Sequence, residues 1–265
     1  MKIILSRKGF DSASGGQPNP ILPDGTLLSL PIPEKCDKNT YTSLKWNDMS
    51  YFDIISSIRP RTSLKPNDMC HLDPDLRKEV CPRMAGWKPA FGQMGAALKH
   101  LRNKQVSVGD LFLFFGWYRK TEVKDGKLVY QKMAPDIHVI YGYMQIGQVI
   151  EQDSDIPQWL KAHPHVLYKD AWNKNQNAIF LPSDKLSFLP EVNGGGVLSY
   201  RKNRVLTKDG MSRRYWNLPS IFKKVKISYH SDPWKNNCFV SAGRGQEFVL
   251  DSTPEILDWV KSLIQ

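Results

Sequence analysis

The side chains best equipped for chemistry fall in four short groups. His71-Leu72-Asp73-Pro74-Asp75 places an imidazole and two carboxylates within five residues, the types that move protons or hold a substrate hydroxyl. His163-Pro164-His165 adds two imidazoles flanking a proline. Near the start, Ser6-Arg7-Lys8-Gly9-Phe10-Asp11 joins a hydroxyl, two cations and a carboxylate around a glycine. Near the end, Gly243-Arg244-Gly245-Gln246-Glu247 repeats that character, with an arginine between glycines. Arginine forks match phosphate oxygens, and glycine lets the backbone approach a ligand closely. These types divide into roles. Ser6, Arg7, Lys8, Gly9, Arg244, Gln246 and Glu247 are expected to bind substrate, with Arg7, Lys8 and Arg244 on phosphate. Asp11 or Asp73 is the expected general base, with His71 or His165 as proton partner.

The flanking segments must position these groups. Ile3-Ile4-Leu5 reads as a buried strand ending at Ser6. Thr26 to Leu30 follows an Asp24-Gly25 turn signal and reads as a second short strand beside it. Residues 47–58 read as a helix capped by Asn47 or Asp48, with Tyr51, Ile54, Ile55 and Ile58 on one apolar face. Gly92 to Leu101 reads as a small-residue helix whose N-terminus, near Phe91 to Gln93, would accept an anion. Ile156 to Ala162 reads as a short helix and Ala178 to Leu181 as a strand. Thr253-Pro254-Glu255 gives cap, proline and acid for a last helix, with Ile256, Leu257, Val260, Leu263 and Ile264 as its apolar stripe.

The most informative β stretch is central. A turn at Val106 to Asp110 feeds Leu111 to Trp117, a charged hairpin turns at Asp125-Gly126, and the chain returns through residues 138–151. Long aromatic strands with interspersed glycines predict a strongly curved sheet or barrel. The block resembles PUA-like and EVE-like barrels through its Val-x-x-Gly-Asp, aromatic strand and Gly-x-x-x-Ile-Gly pattern. Those domains bind modified or flipped bases, so the resemblance implies a reader in which Trp117, Tyr141 and Tyr143 stack on a base.

Composition bounds the rest. The formal charge is +11 and hydrophobic residues are 41%, which describes a soluble globular chain with an attraction for polyanions. The basic, aromatic stretch from Tyr200 to Trp216 suits phosphate contact and stacking. No apolar run is long enough to span a bilayer, and the opening is too short for a secretory signal, so a cytoplasmic location is expected. Cys36, Cys70, Cys81 and Cys238 form no Cys-x-x-Cys pair and are expected to be free thiols. Cys70-His71 and His163-x-His165 are weak ligand patterns, so no metal is expected. Gly194-Gly195-Gly196 lacks the Gly-Lys-Ser/Thr ending of a phosphate loop. Rossmann, kinase, nucleophile-elbow and zinc-deaminase signatures are also missing, and the sequence identifies no cofactor.

Taken together, these groups resemble the nucleotide modification associated domain family, the third of its numbered set. The matching residues are Ile3 to Asp11 with Gly15-Gly16, His71 to Asp75, Phe91-Gly92-Gln93 with Gly95-Ala96-Ala97, Gly109 to Gly116, His163 to His165, and Gly243 to Glu247. The resemblance implies a DNA or nucleotide partner in phages or bacteria and company with other modification enzymes; it supplies no reaction. The expectation is one α+β domain over residues 1–265, with a curved, barrel-like sheet core at about 106–190 and peripheral helices. It would act as a transferase or hydrolase on a nucleotide. The alternatives are a non-catalytic base reader and a partner of a separate enzyme.

Overall fold

Strands form where the apolar runs predict them, but the sheet is assembled from both ends of the chain. The computed structural model describes residues 1–35, 37–243 and 245–265. Six strands make the principal path: β1 (Lys2–Arg7), β2 (Phe91–Met94), β3 (Leu111–Lys124), β4 (Ile137–Ile150), β5 (Asn177–Pro182) and β6 (Glu247–Asp251). Their order is β6-β1-β3-β4-β5-β2. Along this path only β1 and β3 run parallel, with Ile3 beside Leu111 and Arg7 beside Phe115, and the other neighbours are antiparallel. The sheet curls into a half-barrel, and the fold is mixed α+β. The expected second strand at Thr26 to Leu30 does not form beside β1. Thr26 and Leu27 make isolated bridges, and Leu28 and Leu30 turn into a separate apolar cluster.

Alternation along β1 sets the layers. Ile3 and Leu5 enter one core with Leu111, Leu113, Phe115 and Phe248. Ile4 enters the opposite core with Phe112, Phe114 and Val249. Helix α3 (Pro254–Ile264), capped by Thr253, buries Ile256, Val260 and Leu263 against the first face. Helix α2 (Gly95–Asn103) buries Leu98 and Leu101 against the second. Each buried aliphatic side chain contributes about 2 kcal/mol. A parallel pair needs a long crossover. Residues between β1 and β3 use it to build a third cluster around helix α1 (Tyr51–Ile58), which buries Tyr51, Ile54, Ile55 and Ile58.

Two boundaries differ from expectation, the first for a local reason and the second for a tertiary one. Helix α1 is capped by Ser50 through a capping box with Asp53, because Asn47 sits at φ 51° in the preceding tight turn. The anion-accepting N-terminus expected at Phe91 to Gln93 is strand instead. Those residues pair with β5, and α2 starts only at Gly95. Tertiary pairing overrides the small-residue propensity there. The segment at Ile156 to Ala162 contains one short 3-10 turn, Gln158–Leu160.

Candidate functional site

The C-terminal end of β1 divides two adjoining clefts. The alternation that separates the cores continues past the strand, so Arg7 follows Ile3 and Leu5 while Lys8 follows Ile4 and Ser6. The Arg7 guanidinium lies 5.8 Å from the Phe115 ring and 5.6 Å from that of Phe248, and it donates to the carbonyls of Ala242 (2.6 Å) and Gly243 (3.2 Å). Lys8 Nζ lies 4.7 Å from the Phe91 ring and pairs with Glu247 Oε1 at 2.8 Å. Gln93 Nε2 donates to the same oxygen at 2.6 Å.

The first cleft, about 240 Å³, is lined by Lys8, Gly9, His71, Asp73, Gln93 and His165 among others. Asp73 is its centre. The carboxylate side chain is only 5% exposed, accepts the Gly92 amide at Oδ1 (2.7 Å), and lies 3.3 Å from His163 Nε2 and 3.8 Å from His165 Nε2. Burial opposes its ionisation, yet His163, His165 and His71 together draw its pKa down to about 2. Burial drives His165 down to about 4 despite the nearby carboxylate, so the ring is neutral at physiological pH. His71 is also disfavoured by burial, but contact with Asp37 and the charge of Asp73 raise it above the ordinary histidine value. Asn177 holds the His165 ring, with Oδ1 2.7 Å from Nδ1. Gly92 makes room for it, since a Cβ there would lie 2.1 Å from His165 Cδ2.

The second cleft, about 310 Å³, is lined by Arg7, Asp11, Ser12, Trp117, His138, Arg213, Arg214 and Ser241 among others. It sets three arginines against one carboxylate. Arg7 Nε, Trp117 Nε1 and Ser241 Oγ are buried donors with no acceptor among the described residues. His138 accepts the Trp216 indole N–H at Nδ1 (3.0 Å), which leaves its other nitrogen as a donor when neutral. Burial, with Arg7 and Arg213 adding, holds His138 well below the usual histidine range. Arg213 lies over the Trp117 ring at 4.0 Å.

The structure thus brings together His71, Asp73, His165, Lys8, Gly9 and Gln246 in one cleft, with Glu247 held against Lys8. Arg7 and Asp11 border both. Asp11 uses Oδ1 to accept the amides of Ala13 and Ser14, which fixes its own turn. Ser6 is fully buried between β6 and β3 and reaches neither cleft. Arg244 lies outside the described residues. Tyr141 and Tyr143 do not form a stacking platform with Trp117. Both are buried, and a register shift between Ile140 and Gly142 sends Tyr141 to one core and Tyr143 to the other. Trp117 alone lines a cleft, with Arg213 over its ring. Asp75, expected beside Asp73 in function, is locked in a two-armed pair with Arg83 at 2.6 Å.

Sequence reasoning did not single out Asp37, Asn177, His138 or Ser241. Asn177 carried one usable signal, a polar residue of low strand propensity opening an apolar strand.

With this geometry described, comparison with known proteins adds one result. The sequence model of the family described as Nucleotide modification associated domain 3 matches residues 2–251. The chain belongs to that family. No curated protein and no solved structure matches it. The family's name associates the chain with nucleotide modification. The matched span takes in both clefts, from Arg7 to Gln246. No helix among the described residues is long and apolar enough to cross a membrane.

Proposed function

We propose that the protein modifies a nucleotide or nucleic acid, holding a phosphate in the arginine cleft and carrying out group transfer or hydrolysis beside Asp73. The observation that carries this reading is the donor excess of the arginine cleft next to the histidine–aspartate cleft. Buried donors without acceptors are costly unless a ligand satisfies them. A phosphate monoester or diester supplies several acceptor oxygens and the negative charge that three arginines require. The neighbouring His71, Asp73 and His165 are the groups placed to activate a water or hydroxyl nucleophile. Lys8 stands where it can approach a developing negative charge, tethered by Glu247.

The separation of Tyr141 from Tyr143 weighs against the base-reader alternative, which needs their ring faces open. The test has two parts. Ser241→Ala and Trp117→Phe each remove one buried donor, the first at almost constant volume and the second keeping a smaller aromatic ring under Arg213. Each is expected to weaken binding of a labelled nucleotide or short single-stranded oligonucleotide about 5- to 20-fold, in line with the loss of one charge-assisted hydrogen bond. Asp73→Asn is expected to abolish the altered nucleosides seen by mass spectrometry in DNA from cells expressing the protein. Unchanged nucleoside composition with and without the wild-type protein, together with undiminished binding by both donor variants, would sink the reading.

A further inference from the structure

We infer that His71, Asp73 and His165 form a site for one divalent transition ion of the zinc or iron(II) class. One donor atom from each residue lies within 4.8 Å of the others. They come from two pieces of chain. His71 ends the strand Met69–His71, Asp73 follows it, and His165 sits in the 3-10 turn Pro164–Leu167.

The hydrogen bonds around the cluster fix which atoms are available. The Asn177 side-chain amide donates to the His165 carbonyl at 2.8 Å, so its Oδ1 is the end that faces the ring. His165 Nδ1 therefore carries the proton in that 2.7 Å contact, and Nε2 presents a bare lone pair. That lone pair stands 3.8 Å from Asp73 Oδ2. Two electron-rich atoms facing each other in a buried setting repel, and a cation between them converts repulsion to attraction. His71 Nδ1 is 3.2 Å from Asp37 Oδ2; a carboxylate only accepts, so that nitrogen is protonated and Nε2 is the free one. On Asp73, Oδ1 is taken by the Gly92 amide and faces His163 Nε2, which leaves Oδ2. His163 Nδ1 in turn accepts the His165 amide at 3.3 Å, so its Nε2 carries a proton and is no ligand.

Each of the three ligands thus has an outer partner: Asp37 for His71, the Gly92 amide for Asp73, Asn177 for His165. Such partners orient metal-binding imidazoles and carboxylates. Two imidazoles and one carboxylate suit zinc or iron(II), whereas magnesium and calcium prefer all-oxygen sets. Bonds of about 2.1 Å place ligand atoms roughly 3 to 3.5 Å apart, so the 3.8 Å gap between His165 and Asp73 closes with small side-chain movement, and the triad's widest separation, at most 4.8 Å, closes by side-chain shifts of about 1 Å. Three protein ligands leave coordination positions open for water or a substrate oxygen, the arrangement of catalytic rather than structural sites. What the ion does there rests on the nucleotide reading above; that it binds does not.

The experiment uses the full-length, tag-free protein stripped with chelator and no nucleotide. Cobalt(II), the spectroscopic stand-in, is titrated while visible d–d absorption is followed, and zinc is titrated by calorimetry. One equivalent is expected to bind, and zinc but not magnesium should raise the melting temperature. His165→Ala and Asp73→Asn should each weaken cobalt binding at least about 100-fold, and Asn177→Ala about 10- to 100-fold. Ser241→Ala, in the other cleft, should bind cobalt like wild type, which separates failure of the metal site from failure of the phosphate reading. The inference is overturned by absence of saturable binding in wild type. It is equally overturned by stoichiometric binding that survives both His165→Ala and Asp73→Asn.

Discussion

Lys8 and Glu247, from opposite ends of the chain, form an ion pair of 2.8 Å in which the carboxylate side chain is 1% exposed. The pair fastens β1 to β6 at the lip of the histidine–aspartate cleft, because Glu247 sits opposite Ser6 in the antiparallel register. Removing one partner of a buried pair leaves the other charge uncompensated. Lys8→Met is therefore expected to cost about 3 kcal/mol in urea unfolding, and Lys8→Met with Glu247→Gln about half of that. If the double variant is as unstable as the sum of the singles, the pair is not coupled.

Gly92 gives a sharper steric prediction. Its backbone needs no positive φ, so alanine is conformationally allowed there; the obstacle is the His165 ring, 2.1 Å from the added carbon. Gly92→Ala should displace His165 from Asp73 and abolish cobalt binding, with a stability cost of about 1–3 kcal/mol from overpacking. A crystal structure of the variant with His165 unmoved would contradict this.

Acid should weaken the metal-free fold in a defined window. His165 protonates near 6.5 in an unfolded chain but only at about 4 when folded, so the unfolded state holds more protons between those values. Stability present above pH 6.5 is thus lost as pH falls toward 4, by about 3 kcal/mol. Asp73, with its pKa lowered to about 2, adds a further loss below pH 3.8. His71 runs the opposite way, since its raised pKa favours the fold at low pH and that contribution fades as pH rises. Denaturation curves at pH 7.5, 6 and 4.5 check the sign, and His165→Asn should flatten the slope between the last two.

Ser50→Ala provides a control at a residue that lines neither cleft. Ser50 Oγ accepts the Asp53 amide at 3.1 Å, and Asp53 Oδ2 accepts the Ser50 amide at 3.1 Å. Loss of this cap should cost about 1 kcal/mol while cobalt and nucleotide binding stay at wild-type values. Altered binding would mean that the α1 cluster is coupled to the clefts.

Several of these features were legible before any coordinates. The apolar runs of β1 and β3, the Asp125-Gly126 turn and the Thr253 cap each declare themselves locally, because period and turn chemistry are short-range signals. What stayed hidden was long-range. Nothing in Ile3-Ile4-Leu5 says that its neighbours are residues 111–115 on one side and 247–251 on the other. The same limit explains the tyrosines. Tyr141 and Tyr143 share parity in sequence, and only a register shift in pairing with β3 sends them to opposite cores. His71, Asp73 and His165 were each singled out by residue type. Their meeting was not readable, since it depends on Gly92 leaving space for an imidazole and on Asn177 turning it.

The alternation of Arg7 and Lys8 has a consequence for how this site can vary. β1 is hydrogen-bonded along both edges, so its register is fixed from two sides at once. With the register held, deleting one residue between Lys2 and Ser6 would carry the guanidinium into the fully buried Ser6 position, which reaches neither cleft, and the ammonium into the Arg7 position, disarming both clefts in a single step. Insertions and deletions should therefore be tolerated in the exposed Asp125-Gly126 turn long before they are tolerated in those few residues. The spacing between the two clefts is then a property of one peptide unit, and a substrate that spans them is measured against it.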